Sequence, residues 1–137
     1  MTHGYDGLNR LASVTNAGAI TRYTYNTVGN RESVTYPNGV TTTYGYDTLN
    51  RLIAVTHANS GGTVASYTYT LSAIGQRTRM FDHTGRIVGY TYDALDRLTQ
   101  EQVTDAVNGD RSTSWAYNNV SNRLSQNDNG SVTTYVY

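Results

Sequence analysis

Tyr5-Asp6-Gly7-Leu8-Asn9-Arg10-Leu11 recurs as Tyr46-Asp47-Thr48-Leu49-Asn50-Arg51-Leu52 and again as Tyr92-Asp93-Ala94-Leu95-Asp96-Arg97-Leu98. A sister phrase, Tyr25-Asn26-Thr27-Val28-Gly29-Asn30-Arg31, is echoed at Leu71-Ser72-Ala73-Ile74-Gly75-Gln76-Arg77 and Tyr117-Asn118-Asn119-Val120-Ser121-Asn122-Arg123. Copies start at residues 5, 25, 46, 71, 92, 117 and 137, and the sister phrase steps twice by 46 residues. The period is therefore a double repeat holding two similar halves. No half is large enough to fold alone, so the chain reads as an array whose copies bury one another's surface.

Each copy opens on residues spaced by two: Tyr23 and Tyr25, Tyr44 and Tyr46, Tyr69 and Leu71, Tyr90 and Tyr92, Trp115 and Tyr117, Tyr135 and Tyr137. That spacing puts both side chains on one face of a strand. A tight turn follows. Counted from the opening residue to Arg10, Arg31, Arg51, Arg77, Arg97 and Arg123, it comes in two lengths, the sister phrase being one residue longer. Four residues after the opening stand Asn9, Gly29, Asn50, Gly75, Asp96 and Ser121. Gly, Asn and Asp accept a left-handed backbone at least cost, so this position predicts positive φ.

Asp6, Asp47 and Asp93, with counterparts Asn26, Ser72 and Asn118, are placed to accept amide hydrogen bonds two residues on. Between them and the left-handed position, Leu8, Val28, Leu49, Ile74, Leu95 and Val120 are expected to anchor each turn by packing. The repeated Arg is expected to pair with the repeated Asp or to cover a neighbouring Tyr ring. The structural motif thus comprises Tyr5, Asp6, Arg10, Tyr25, Gly29, Arg31, Tyr46, Asp47, Arg51, Gly75, Arg77, Tyr92, Asp93, Arg97, Tyr117 and Arg123.

Beyond each Arg, Thr, Val and Tyr fill segments closed by Gly-containing turns such as Pro37-Asn38-Gly39 and Val107-Asn108-Gly109. Such segments pair as hairpins. The expected fold is all-β: an antiparallel meander of about twelve short strands, two per copy, in a curved or spiralling sheet. One array over residues 1–137 is expected, with double repeats at 5–45, 46–91 and 92–136. With Met1 four residues before a motif and Tyr137 opening another, it reads as a piece of a longer array. Hydrophobic residues make up only 37% of the chain, and 13 of them are Tyr, so the core should be thin.

Ten basic and ten acidic residues balance, and every basic residue is Arg. No basic stretch is available to neutralise phosphates, which argues against nucleic acid as a partner. Cysteine is absent, removing disulfides, thiolate chemistry and Cys-ligated zinc. No run approaches the ~20 apolar residues of a membrane-spanning helix.

Six copies of Tyr-Asp-x-Leu-Asn-Arg-Leu and its sister phrase resemble the YD-repeat, or Rhs-repeat, family over residues 5–137. The resemblance implies β-sheet strips wound around a hollow interior. Its relatives include bacterial polymorphic toxins, insecticidal toxin complex components, wall-associated bacterial proteins and animal teneurins. Among these the repeats enclose a toxic domain or serve surface contact, so an extracellular or cell-surface setting is implied. The Asp-Pro-x-Gly-type self-cleavage motif of the toxins is missing, since the only proline, Pro37, follows Tyr36. Protease activity and toxicity are therefore not carried over, and six copies are too few for the large closed shell of long relatives.

The function expected is structural and non-enzymatic: an encapsulating shell or self-assembling scaffold. An extracellular adhesion or carbohydrate-binding surface is the alternative. His3, His57 and His83 fall in different repeat phases, which suits no shared general base. Asp93 with Asp96, and Asp128 with Asn127 and Asn129, gather oxygens without the loop spacing of a calcium site. No catalytic, metal or cofactor residue is expected. The expected partners are further repeats of the same chain or other copies of it, an enclosed polypeptide cargo, or a surface glycan held by Tyr and Trp115 faces.

Overall fold

The computed structural model describes residues 1–137 as thirteen β-strands and no helix. They are β1 (Thr2–Tyr5), β2 (Leu11–Asn16), β3 (Ala19–Tyr25), β4 (Arg31–Thr35), β5 (Thr41–Tyr46), β6 (Leu52–Asn59), β7 (Gly62–Leu71), β8 (Arg77–Asp82), β9 (Ile87–Tyr92), β10 (Leu98–Thr104), β11 (Arg111–Tyr117), β12 (Arg123–Asp128) and β13 (Ser131–Thr134). They follow one another in sequence order in a single antiparallel meander that does not close. Twelve strands come from two per copy. The thirteenth, β13, leads towards the copy opening at Tyr137. Within β7 the chain divides into an N-terminal unit, Met1–Thr68, and a C-terminal unit, Tyr69–Tyr137.

Both units follow from the same alternation. Every second side chain of a strand points to one face, and pairing in register lines up these side chains across neighbouring strands. In the N-terminal unit one row runs Tyr23, Val34, Thr42, His57, Ala65. In the C-terminal unit the row runs Met80, Val88, Val103, Arg111. The buried hydrophobic residues, Val34, Met80, Val88 and Val103, all lie in these two rows. The thin core expected from composition is what the fold contains.

The repeated turns join the strands at one end of each hairpin, and they correct the expectation of two turn lengths. Tyr5 pairs with Leu11 and Tyr46 with Leu52, while Tyr25 pairs with Arg31 and Tyr117 with Arg123. Each pair is six residues apart, so one turn geometry serves both phrases. What changes is the position of Arg. In the first phrase it is the last residue of the turn; in the sister phrase Asn30 or Gln76 takes that place and Arg starts the next strand. The pairing slips beside each of these tyrosines, leaving one extra residue on the strand that follows the turn. Such bulges increase local twist and end the regular ladder at the turn.

Candidate functional site

The candidate site is the repeated turn together with the tyrosine that closes it. Asp6 N–H donates to the Arg10 carbonyl at 2.9 Å and Asn9 N–H to the Asp6 carbonyl at 3.0 Å. The same pair of bonds recurs at Asn26/Asn30, Asp47/Arg51, Ser72/Gln76, Asp93/Arg97 and Asn118/Asn122. This closure requires a left-handed fourth residue, and Asn9, Gly29, Asn50, Gly75, Asp96 and Ser121 all have positive φ, from 58° to 92°. The expectation for this position holds in all six turns.

The Asp side chain completes the first phrase. Asp6 Oδ1 accepts from the amides of Leu8 and Arg10, both at 2.9 Å, and Oδ2 accepts from Arg10 Nε at 2.7 Å. Asp47 and Asp93 repeat this arrangement with Arg51 and Arg97. In the sister phrase Asn26 and Asn118 accept the corresponding amide pairs, and Ser72 Oγ accepts from Gln76 N–H. The amide of the fourth residue on is the main influence holding the Asp6, Asp47 and Asp93 carboxyls below their ordinary value, and the Arg side chain adds to it.

Tyrosine ties four of the copies to the one before; the copy opening at Leu71 has no hydroxyl at that position. Tyr25 Oη donates to the Leu11 carbonyl at 2.9 Å, Tyr46 to Arg31, Tyr92 to Arg77 and Tyr117 to Leu98. In each case the acceptor is the first strand residue after the preceding turn. Arginine covers the rings, some reaching forward and some back; Arg123, in the sister phrase, lies forward over Tyr135 at 5.3 Å. Arg10 lies 4.5 Å from the Tyr25 ring centre and Arg97 4.9 Å from that of Tyr117, each reaching forward to the next copy. Arg31 and Arg77 instead cover Tyr23 and Tyr69 on the strand just before their own turn. Guanidinium faces over aromatic rings attract by about 0.5–1 kcal/mol at exposed sites.

The turns are also tied to each other. Asn30 Nδ2 donates to Asn50 Oδ1 at 2.9 Å, and 46 residues later Gln76 Nε2 donates to Asp96 Oδ1 at 3.0 Å. Arg97 Nη1 donates to the Asn118 carbonyl at 2.8 Å. The last residue of one turn thus reaches the next turn in each of these links. Sequence reading missed the Asn30 and Gln76 links because it assigned the turn's last position to Arg in both phrases.

The apolar turn residues correct another expectation. Leu8, Val28, Leu49, Ile74, Leu95 and Val120 are 63–75% exposed and anchor nothing. With four residues closed by hydrogen bonds, the third one points outward from the strand ends, where no neighbouring strand can cover it.

The remaining candidates are placed as follows. His57 Nδ1 lies 2.8 Å from buried Thr42 Oγ1, His3 sits on β1 opposite Val14, and His83 lies in the Asp82–Arg86 turn. Asp93 is occupied by its own turn, Asp96 by Gln76, and Asp128 Oδ1 by the Thr113 hydroxyl. These contacts account for the acidic residues as turn and strand partners. No helix is long and apolar enough to cross a membrane.

The family model described as RHS Repeat matches residues 5–41, 28–61 and 72–106. No curated protein matches the sequence significantly. Similar solved structures include a TcdB2-TccC3-TEV crystal structure, with TM-score 0.77 and 20% identity over 87% of this chain. A Tc holotoxin pore of Photorhabdus luminescens gives 0.72 and 21% over 84%, and a TcdB2-TccC3-Cdc42 crystal structure gives 0.72 and 20% over 88%. This chain spans 6% of the length of each of those chains.

Proposed function

We propose a wall-building role for this chain, which belongs to the RHS repeat family. Its 137 residues act by lateral extension of one sheet, with no chemical step. The tyrosine staple carries this reading: four hydroxyls each bond the carbonyl that follows the preceding turn, docking a copy onto its predecessor at Tyr25, Tyr46, Tyr92 and Tyr117. An array built this way grows by addition at its edges, and its edge strands β1 and β13 leave backbone groups free to continue the ladder. Continuation by the same chain's further repeats gives the wall of a shell; continuation by another copy gives an open assembly, since a head-to-tail contact that does not close propagates. The similar Tc structures support the fold of such a wall. An extracellular toxin-like setting and an enclosed polypeptide are expectations drawn from that similarity.

Analytical ultracentrifugation over a concentration series, with electron microscopy of the same samples, tests the self-assembly reading. Sedimentation should rise with concentration, and strips or rings should appear. A single monomer boundary at every concentration excludes self-assembly, leaving only continuation within a longer chain.

A further inference from the structure

Six aliphatic side chains stand uncovered at one phase of the repeat. Leu8, Val28 and Leu49 project from the turns of the N-terminal unit, and Ile74, Leu95 and Val120 from those of the C-terminal unit. Single exposed aliphatics are ordinary on a protein surface, but the same exposure at every repeated turn makes a row. Within a unit, two strands separate successive tips, which is about 10 Å at the usual strand spacing. The opposite hairpin ends carry Ala17, Asn38, Ser60, Thr84 and Asn129, and there only the β10–β11 loop, with Val107, has a large aliphatic residue.

The tips meet the conditions for burial against another surface. The amides of Leu8, Val28, Leu49, Leu95 and Val120 already donate inside their own turns, to Oδ1 of Asp6, Asn26, Asp47, Asp93 and Asn118. Covering these tips therefore strands none of those backbone donors. The carboxylates of Asp6, Asp47 and Asp93 are paired with Arg10, Arg51 and Arg97 at 2.7 Å. Of the residues flanking the aliphatic tips, one is charged, Asp96, and its Oδ1 accepts from Gln76. Each turn is closed by two backbone bonds, and Asn30 ties its turn to that of Asn50. Little ordering is needed to present such a row.

The chemistry of the row selects its partner. An uncharged line of aliphatic tips offers nothing to a polyelectrolyte or a polar ligand. The opposite hairpin ends are polar, so the matching surface is the same row on another molecule. Two rows of one period interdigitate, the tips of one lying between those of the other. Burying a Val, Leu or Ile side chain removes roughly 60–120 Å² of apolar surface at ordinary transfer values. Twelve such side chains, six from each copy, come to about 1,000 Å², the lower bound for a specific interface. We propose that a second copy of this chain packs on this row, turn tips against turn tips. The contact is isologous and closes as a pair, whereas ladder growth at β1 and β13 is head-to-tail. It goes beyond the wall-building role and uses the turn ends instead of the sheet edges.

Intermolecular paramagnetic broadening tests the contact. Cysteine is absent from the chain, so V28C accepts a single nitroxide label. Mixed with ¹⁵N-labelled parent protein, the labelled copy should broaden amides of residues 7–9, 27–29, 48–50, 73–75, 94–96 and 119–121, and the broadening should fade on dilution. A ¹⁵N-labelled variant carrying L8S, L49S and L95S, all at exposed positions, should need at least tenfold higher concentration for the same effect. V132K puts a charge on edge strand β13, where it opposes ladder growth, and should leave the broadening of the tips unchanged. Loss of the tip contact and loss of ladder growth are thus read separately. No broadening at the highest soluble concentration, broadening confined to β1 and β13, or equal broadening in the serine variant overturns the proposal. So does broadening of the tips by spin-labelled phosphatidylcholine vesicles and not by the labelled copy, which would assign the row to a lipid surface.

Discussion

Val34, Thr42, His57 and Ala65 in the N-terminal unit occupy the same slots as Met80, Val88, Val103 and Arg111 in the C-terminal unit, always 46 residues apart. One row places a hydroxyl against an imidazole, Thr42 Oγ1 to His57 Nδ1 at 2.8 Å, where Thr42 is 1% exposed. The other packs Val88, also 1% exposed, against Val103. The backbone pairing is common to both, so the ladder does not require either chemistry. A part-buried polar pair is tolerated when both members are satisfied, and an apolar pair does the same work. The repeat conserves turns and tyrosines while leaving the middle of each row free to vary.

Substitutions in these rows sharpen the comparison most. Val88→Asp puts an unpaired charge where nothing can partner it and should cost about 4 kcal/mol or more, read as a lower urea midpoint. An unchanged midpoint would remove Val88 from the core. Thr42→Val alone strands the His57 nitrogen and should cost about 1–3 kcal/mol, whereas Thr42→Val with His57→Val copies the other unit and should fall within about 1 kcal/mol of the parent. A double variant no better than the single would show that the two rows are not interchangeable.

The turns supply a smaller contrast. Gly29→Val forces a β-branched residue to φ near 92° and should cost more than about 1 kcal/mol. Ser13→Ala on β2 should stay within about 0.5 kcal/mol. Coincident urea midpoints for these two variants would contradict the left-handed turn.

The smallest expected effect is in acid. The carboxyls of Asp6, Asp47 and Asp93 are held below their ordinary value by the amides of Arg10, Arg51 and Arg97. Asp82 is lowered chiefly by the Thr84 hydroxyl and Asp105 by the Asn108 side chain. These groups bind protons less readily folded than unfolded, so unfolding takes up protons. Their contribution is fully present above the ordinary carboxylate value of 3.8 and is lost as pH falls below it through the folded values. Thermal midpoints should decline over that acid range, and Asp47→Asn should flatten the decline. An identical acid profile in this variant would exclude the Asp47 carboxylate from the linkage.

Much of this was legible in residue types. Positive φ at Asn9, Gly29, Asn50, Gly75, Asp96 and Ser121 was readable because few side chains accept that backbone. The amide bonds to Asp6, Asp47 and Asp93 followed from the reach of a short carboxylate. Counting from Tyr to Arg misled, because the turn ends where its hydrogen bonds close, and Arg sits on different sides of that point in the two phrases. Leu8 and its five counterparts read as anchors because aliphatic residues are usually covered; only the end-on position of the turn shows that they are not.

The chain's own residues determined the strand-and-turn alternation, the period and the family, since these rest on local backbone preference and on side chains within a few residues. The fold decided which groups meet across copies: Tyr25 on the Leu11 carbonyl, Asn30 on Asn50, and Arg10 and Arg31 over different rings. Those meetings depend on strand register, and register is settled by the bulge beside each turn, where displacing a single residue exchanges the two faces of the sheet.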